Sequence, residues 1–382
     1  MIRLLTVIGA RPQIIKAAAI SRAVKKHFSD RIVEKILHTG QHYDANMSQV
    51  FFDELGIPAP DYNLGVGSGS HGVQTAKMIA GIEDVLTSEP FDGIILYGDT
   101  NSTLAGAVAA SKLHIPVFHV EAGLRSFNMT MPEEVNRIVC DQVASICFCP
   151  TQTAVDNLKR EGFFDSPVRF KNGKGRLVVN SGDVMFDNSM YFAPIAEQKS
   201  DILMQLDVKP EEYILATIHR PQNTDDPKRL FSIVSALLSI AERDSVTLIL
   251  PLHPRTRNLL DKNLDMGVYE RLMSSPSVKI IPPASFFDII VLEKNARIVM
   301  TDSGGVQKES FFFGRPCVIL RPETEWVEIV EHGAGIIADA DTERIMNAYN
   351  ELAGVKPTFP PLFGKTNASE TILHAIEEYL TR

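Results

Sequence analysis

The 382-residue sequence is poor in cysteine. It has only Cys140, Cys147, Cys149 and Cys317, with no CxxC pair and no histidine beside them at zinc-ligand spacing. This excludes a disulfide scaffold and a zinc-finger fold, and the thiols read as reduced core groups of a cytoplasmic protein. Cys147 and Cys149 flank Phe148 in a strand-like run, so a period of two puts both on one face. Long apolar runs are absent as well. None approaches the ~18 residues that a membrane span needs, and Leu4–Ile8 is long enough only for a buried strand. Positive charge is in deficit, with 38 Lys and Arg against 47 Asp and Glu, a net charge of -9. That argues against nucleic acid as a partner, because phosphate backbones are held by a basic excess. An anionic ligand must instead meet a local cluster of cations. No GxxxxGK[ST] loop, GxSxG elbow or HExxH pair occurs, so P-loop, α/β-hydrolase and zincin chemistry drop out, and no metal is expected among the scattered His38, His42, His119, His219 and His253.

The chain is about twice the usual single-domain length, which favours two domains, each able to bury its own core. Short apolar runs rich in Val and Ile alternate with helical periods, the pattern of strand-helix-strand units on a parallel sheet. Candidate strands fall at Leu4–Ile8, Val33–His38, Gly93–Tyr97, Val117–Val120, Ile146–Cys149 and Leu177–Asn180. A second set falls at Ile214–Ile218, Thr247–Pro251, Val278–Ile281, Ile298–Thr301, Cys317–Leu320 and Gly335–Ala338. The count fits an α/β protein with two doubly wound domains of about six strands each. The least periodic stretch, Asp183–Ser200, is where the junction is expected, giving an N-terminal domain over 1–185 and a C-terminal domain over 186–365. Behind Pro360 and Pro361, Ile372, Ala375, Ile376 and Tyr379 recur at helical spacing, so 366–382 is expected to dock as an amphipathic helix.

In doubly wound sheets ligands bind beyond the carboxyl ends of the strands, and there the sequence concentrates its chemistry. The first run leads into Gly9-Ala10-Arg11-Pro12, where Arg11 and Lys16 offer positive charge near a helix start. The second leads into Thr39-Gly40-Gln41-His42, a polar pair that suits either ligand contact or loop structure. Asp99 follows the third and opens a helix of small residues, so it is a catalytic acid or a helix cap. Glu121 ends a strand that should lie inside the sheet, and Pro132-Glu133-Glu134 follows soon after. Asp99, Glu121 and Glu133 are then expected to share one site, where crowding separates acid from base roles, although Glu133 equally suits a first helical turn. His219, Arg220 and His253 bring cations to later strand ends. Asp302-Ser303-Gly304-Gly305 opens a helix with bare backbone N–H groups suited to a diphosphate, and Glu309 follows at a distance suited to a sugar hydroxyl.

The blocks Gly9-Ala10-Arg11-Pro12-Gln13, Gly98-Asp99-Thr100, His119-Val120-Glu121-Ala122-Gly123-Leu124-Arg125, Pro132-Glu133-Glu134-x-Asn136-Arg137, His219-Arg220 and Asp302-Ser303-Gly304-Gly305-Val306-Gln307 together resemble the bacterial UDP-N-acetylglucosamine 2-epimerase family. Their order and spacing hold through nearly the whole chain. The resemblance implies a GT-B-like fold of two Rossmann-type domains with the active site in the cleft between them, and a last helix that crosses back to the first domain. It implies a cytoplasmic homodimer serving polysaccharide biosynthesis, which inverts C2 of a UDP-amino sugar without metal or redox cofactor, by eliminating UDP to give a 2-acetamidoglucal and adding it back. By family position Asp99, Glu121 and Glu133 are the acid–base groups, with His219 and Lys16 near the diphosphate or sugar. Arg11, Ser303, Gly304, Gly305 and Glu309 match the nucleotide-binding positions, and Arg137, Arg220, His253, Gln41 and His42 complete the expected substrate contacts.

Three departures from the family pattern are read as marks of substrate choice. Gln13 stands where the family usually has Glu, His219-Arg220-Pro221-Gln222-Asn223 replaces His-Arg-x-Glu-Asn, and Trp326, the only tryptophan, stands where an arginine is usual, leaving Arg321 to supply that charge. They resemble the branch acting on UDP-2,3-diacetamido-2,3-dideoxyglucuronate. A GT-B glycosyltransferase and a hydrolysing epimerase are the competing activities; the three acids in one domain weigh against the transferase.

Overall fold

The computed structural model describes residues 1–40, 55–164 and 168–381. Gln41 and His42 lie outside the described residues. The chain divides into two compact units, Met1–Asn188 with Pro361–Arg382, and Ser189–Pro360.

The first unit carries β1 (Ile2–Ile8), β2 (Ile32–His38), β3 (Tyr62–Asn63), β4 (Gly93–Tyr97), β5 (Val117–Val120), β6 (Ile146–Cys149) and β7 (Leu177–Asn180), all parallel in the order β3-β2-β1-β4-β5-β6-β7. The second carries β8 (Tyr213–Thr217), β9 (Thr247–Pro251), β10 (Val278–Ile281), β11 (Ile298–Thr301), β12 (Cys317–Ile319) and β13 (Gly335–Ile337), parallel in the order β10-β9-β8-β11-β12-β13. Central strands such as Gly93–Tyr97 and Ile298–Thr301 are buried throughout because helices cover both faces, which is why they read as continuous apolar runs rather than alternating ones. Both sheets have the doubly wound order, so each reverses direction once, between β1 and β4 and between β8 and β11. These reversals fix where a ligand can enter each unit, since the helices that follow the two strands turn to opposite faces.

Two features differ from the sequence expectation. The first sheet gains a seventh strand, Tyr62–Asn63, held by Leu37 and His38. Two residues leave no periodicity to detect. The stretch expected to be irregular is the helix Val184–Lys199, with Pro194 inside it. All but one of the residues from Ser181 to Ser189 are buried, so no polar face marks the helical period. The division between the units falls within this helix.

The C-terminal helix Ala368–Thr381 belongs to the first unit. It buries Ile372, Leu373, Ile376 and Tyr379, sets Tyr379 edge-on to Phe118 of β5, and pairs Glu377 with Arg31 at 2.7 Å. Its start is tied down by Asp187, whose carboxylate accepts from the Ala368 and Ser369 N–H groups at 3.2 and 2.9 Å and from the Ser369 hydroxyl at 2.8 Å. No helix of the described residues is long and apolar enough to cross a membrane. Asp187→Ala removes these acceptors from a helix N-terminus and is expected to cost about 1–3 kcal/mol of unfolding free energy, measured by urea denaturation. A change near zero would show that the apolar stripe alone holds the helix.

Candidate active site

In the first unit the site starts at the reversal between β1 and β4. Gly9 leaves β1 where a Cβ would fall 2.1 Å from the Ser102 hydroxyl and 2.2 Å from that of Thr39, so only glycine fits. The next helix, Arg11–Ala23, has no side-chain cap at Ala10; Gln13 replaces one, its Oε1 accepting from the Gly9 and Ala10 N–H groups at 2.9 and 3.2 Å. Its Nε2 donates to the Tyr97 carbonyl and to Thr103 Oγ1, both at 3.0 Å. A glutamate could not make those two donations. This departure from the family pattern therefore serves the packing of β1 against β4, and the expectation that it marks substrate choice is corrected. Arg11 is exposed at the head of this helix, and Lys16, one turn further on, is buried.

Lys16 forms an ion pair with Glu121, which is only 12% exposed. Glu121 sits beyond β5 at φ 69°, a left-handed conformation that costs an ordinary residue roughly 1–3 kcal/mol and persists only where surrounding bonds impose it. Beside it, Gly98 leaves β4 at φ +61°, and a Cβ there would lie 3.0 Å from Lys16 Nζ and 3.9 Å from Glu121 Oε2. Asp99 follows, 31% exposed and ion-paired with Arg137, while Asn136 Nδ2 donates to its carbonyl at 2.9 Å. The helix cap at this place is Thr100, not Asp99.

Glu133 does not join this group. It is exposed in the first turn of the helix Pro132–Val143, and its carboxylate has no hydrogen bond or ion pair among the described residues. The buried acid is Glu134, whose carboxylate accepts from the Ser126 and Phe127 N–H groups at 3.0 and 2.9 Å and from Arg137 at 2.9 Å. The signal was present, because Glu134, Arg137 and Asp141 stand at i, i+3 and i+7 on one helical face. The internal bonds here therefore form a chain running Asp99, Arg137, Glu134, with Glu133 exposed at the helix start beside it.

Behind them lies a network, buried except at Glu161, that sequence reasoning missed. Asp141 accepts from Arg125 Nη1 at 2.7 Å and from the Gly123 N–H at 3.2 Å, and faces His119 Nδ1 at 2.7 Å. Arg125 also donates to both oxygens of Glu161, at 2.7 and 2.8 Å. Burial works to raise the Asp141 pKa, but His119 and Arg125 outweigh it and hold the carboxylate below its ordinary range. All four cysteines are free, buried and pushed up by burial, Cys317 to about 12, so each is a neutral core thiol.

In the second unit the reversal between β8 and β11 is built on Asp302. Its buried carboxylate accepts from the His219 and Arg220 N–H groups at 3.1 and 3.0 Å and from Asn223 Nδ2 at 3.1 Å, and it holds His219 Nδ1 at 2.9 Å. Burial favours protonation of Asp302, but the bonds from His219 more than offset it and lower the pKa. The His219 side chain is 55% exposed, so Asp302 fixes one ring nitrogen and leaves the ring edge open to a ligand. Ser303 caps the helix Gly304–Phe312, its Oγ accepting from the Val306 N–H at 3.4 Å. Around Gly304 stand Glu325, Trp326 and Arg321, with atoms 3.7, 3.7 and 3.8 Å from where a Cβ would be. Glu309, one turn on, is half-buried.

Arg321 reaches this position, buried and bidentate with Glu325 at 2.9 and 3.0 Å. The cation closest in kind is Lys308, whose ammonium lies 4.3 Å from the Trp326 ring centroid. His253 caps its own helix through Nδ1, and Arg220 is half-buried beside His219.

Two parallel doubly wound units, one with carboxylates at its reversal and the other with a glycine-started helix and a carboxylate-held histidine, define a GT-B-like nucleotide-sugar enzyme of the isomerase class. The chain belongs to the UDP-N-acetylglucosamine 2-epimerase family, whose model matches residues 24–377. A UDP-2,3-diacetamido-2,3-dideoxy-D-glucuronate 2-epimerase of Pseudomonas aeruginosa is 48% identical over 381 residues, covering 100% of this chain and 99% of that one. A UDP-N-acetylglucosamine 2-epimerase homolog of Methanococcus maripaludis is 44% identical, covering 98% and 99%. The crystal structure of the Methanocaldococcus jannaschii UDP-GlcNAc 2-epimerase in complex with UDP-GlcNAc and UDP superimposes with a TM-score of 0.86 at 39% identity, covering 99% and 100%.

The Asp302 pKa is lowered on folding, so its bonds stabilise the protein fully above the unfolded carboxyl pKa of about 4, and that stability is lost as pH falls through the lower folded value. Thermal melts of the wild type are expected to fall below pH 4 more steeply than those of Asp302→Asn, which has no proton to gain. Parallel curves would remove Asp302 from the acid-sensitive groups.

Proposed function

We propose that this protein is a non-hydrolysing UDP-sugar 2-epimerase in which Asp99 and Glu121 do the acid–base work and His219, with the Ser303–Gly305 helix start, receives the UDP group. The single observation that carries this reading is Glu121, in a strained backbone conformation and ion-paired with Lys16, lying against Gly98, the residue before Asp99.

Elimination breaks the bond between C1 and the diphosphate oxygen, UDP leaving with the electron pair, while a carboxylate takes the proton from C2. The product is a 2-acetamidoglucal with a C1–C2 double bond. Return of the proton to the other face of C2 and of UDP to C1 gives the epimer, so atoms and charge balance with no oxidant, metal or water consumed. The chemistry needs a base and an acid near C2 and positive groups on the departing diphosphate. Asp99 and Glu121 are each held by a cation, Arg137 and Lys16, which orients the two carboxylates for proton transfer. His219, with Nδ1 bound to Asp302, can present Nε2 to the leaving group, and the bare N–H groups at Gly304 and Gly305 can take phosphate oxygens. Glu309 is suited to a sugar hydroxyl. Arg11, Arg220 and His253 are assigned to the substrate's polar groups on family position alone, as are Gln41 and His42, and Glu133 stays a candidate acid.

Two substrates fit. UDP-N-acetylglucosamine, interconverted with UDP-N-acetylmannosamine, is the simple one and the family's namesake. UDP-2,3-diacetamido-2,3-dideoxyglucuronate is favoured by the 48% identical relative and by Trp326 in place of the usual arginine. The enzyme is read as a cytoplasmic homodimer serving polysaccharide biosynthesis, on family resemblance.

Proton NMR in D2O with each sugar nucleotide is expected to show C2 deuterium uptake and a new UDP-linked epimer with one of them. Free 2-acetamido sugar with UDP would move the reading to the hydrolysing branch, and silence with both would move it to a glycosyltransferase. Asp99→Asn and Glu121→Gln are each expected to lower kcat by about 10²–10⁴-fold. Gly304→Ala places its methyl at ordinary contact distances, so the melting temperature should hold while the methyl blocks phosphate approach. UDP affinity by calorimetry is expected to drop at least tenfold; unchanged affinity would place the diphosphate elsewhere.

A further inference from the structure

We propose that His119 is a positioning residue: a buried imidazolium, charged throughout the working pH range, that fixes the Gly98–Asp99 peptide and the backbone around Glu121. The proposal rests on reading Asp99 and Glu121 as the acid–base groups.

The charge follows from who can donate to whom. His119 has no exposed surface, and its Nε2 lies 2.8 Å from the Gly98 carbonyl oxygen. A carbonyl only accepts, so Nε2 carries a proton. Nδ1 lies 2.7 Å from Asp141 Oδ1. Asp141 is held as the carboxylate by the permanent charge of Arg125, whose Nη1 lies 2.7 Å from its other oxygen beside the Gly123 N–H. A carboxylate only accepts as well, so Nδ1 also carries a proton and the ring is cationic. Arg125 is shared with Glu161, so the network holds two cations against two anions with none left over. Cys140, the remaining titratable group beside the ring, is a neutral thiol. Burial by itself would push the His119 pKa down, and its neighbours Cys140 and Asp141 reverse that and raise it well above the ordinary value.

The ring's two bonds land where the candidate catalytic groups need holding. Gly98 stands at φ +61° with its N–H bonded to the Val120 carbonyl at 3.0 Å, and the imidazolium takes its own carbonyl, so both ends of the residue before Asp99 are fixed. Glu121 stands two residues beyond His119 at φ 69°. The next N–H groups are anchored, that of Ala122 to the Phe148 carbonyl at 3.0 Å and that of Gly123 to Asp141 at 3.2 Å. Asp141 thus binds the chain both before and after Glu121, and this over-determination maintains a backbone conformation that glutamate would otherwise leave. Neither His119 nor Asp141 has any exposed surface, so neither touches substrate.

Two measurements test this. Neutron diffraction from crystals of the unaltered enzyme at pD 8 is expected to show deuterium on both nitrogens of His119; a single deuterium would overturn the proposal, whatever any variant does. His119→Gln keeps one amide donor but cannot serve both acceptors or carry the charge. Its kcat, normalised to UDP-binding sites so that only folded enzyme counts, is expected to fall roughly 10- to 100-fold with KM little changed, as misplacement of a reacting group predicts. An unchanged kcat per site would reduce the network to a stability role. If the variant does not fold, the neutron result alone decides. The acid–base reading fails separately if Asp99→Asn and Glu121→Gln keep full turnover, an outcome that leaves the ring's charge untouched.

Discussion

A carboxylate buried beside a strand end has several lone pairs and no water to answer them, so the chain around it must supply donors or the acid must give up its charge. Each unit of this protein is organised by one such group. Asp302 gathers two consecutive backbone N–H groups, an asparagine amide and an imidazole at the reversal of the second sheet. Asp141 gathers a glycine N–H, a guanidinium and an imidazole at the edge of the first site. Loss of either acid would strand several buried donors at once, a heavier cost than any one of these bonds contributes.

The two aspartate–histidine pairs contain the same groups and differ in burial, and burial divides their work. His219 is more than half exposed, so Asp302 holds one nitrogen and leaves the rest of the ring to chemistry. His119 is sealed, and both of its nitrogens are bound to groups that only accept. A histidine in the first setting is free to exchange a proton with a ligand; in the second it is a fixed charge. The same logic covers Lys16, whose ammonium faces Glu121 rather than solvent.

The positions where this chain departs from its family separate along the same lines. Gln13 satisfies four partners inside the first unit and is explained by packing. Trp326 is different: it borders Gly304 at the helix start, with Lys308 over its ring and the Arg321–Glu325 pair beside it. A residue change at that place alters the wall against which a ligand's phosphates or sugar would rest.

Most of the fold was legible in the sequence because the strands of a parallel sheet are covered on both faces, and short apolar runs such as Gly93–Tyr97, Ile146–Cys149 and Ile298–Thr301 have boundaries that show. The candidate residues were legible for a related reason: turns after strands are short, and the acids and glycines in them stand out against apolar runs. The two-residue β3 and the helix Val184–Lys199 were not, since the first is too short for a period and the second buries polar residues in its first half and carries Pro194 in its second. The sequence by itself determined the two doubly wound units and which acids and cations lie near their strand ends. Only the tertiary structure decided that Glu134 rather than Glu133 is buried, that Arg321 is neutralised by Glu325, and that His119 carries a sealed charge. Those outcomes turn on which partner each side chain meets after folding, and a pairing across 22 residues, as between His119 and Asp141, leaves no local pattern to read.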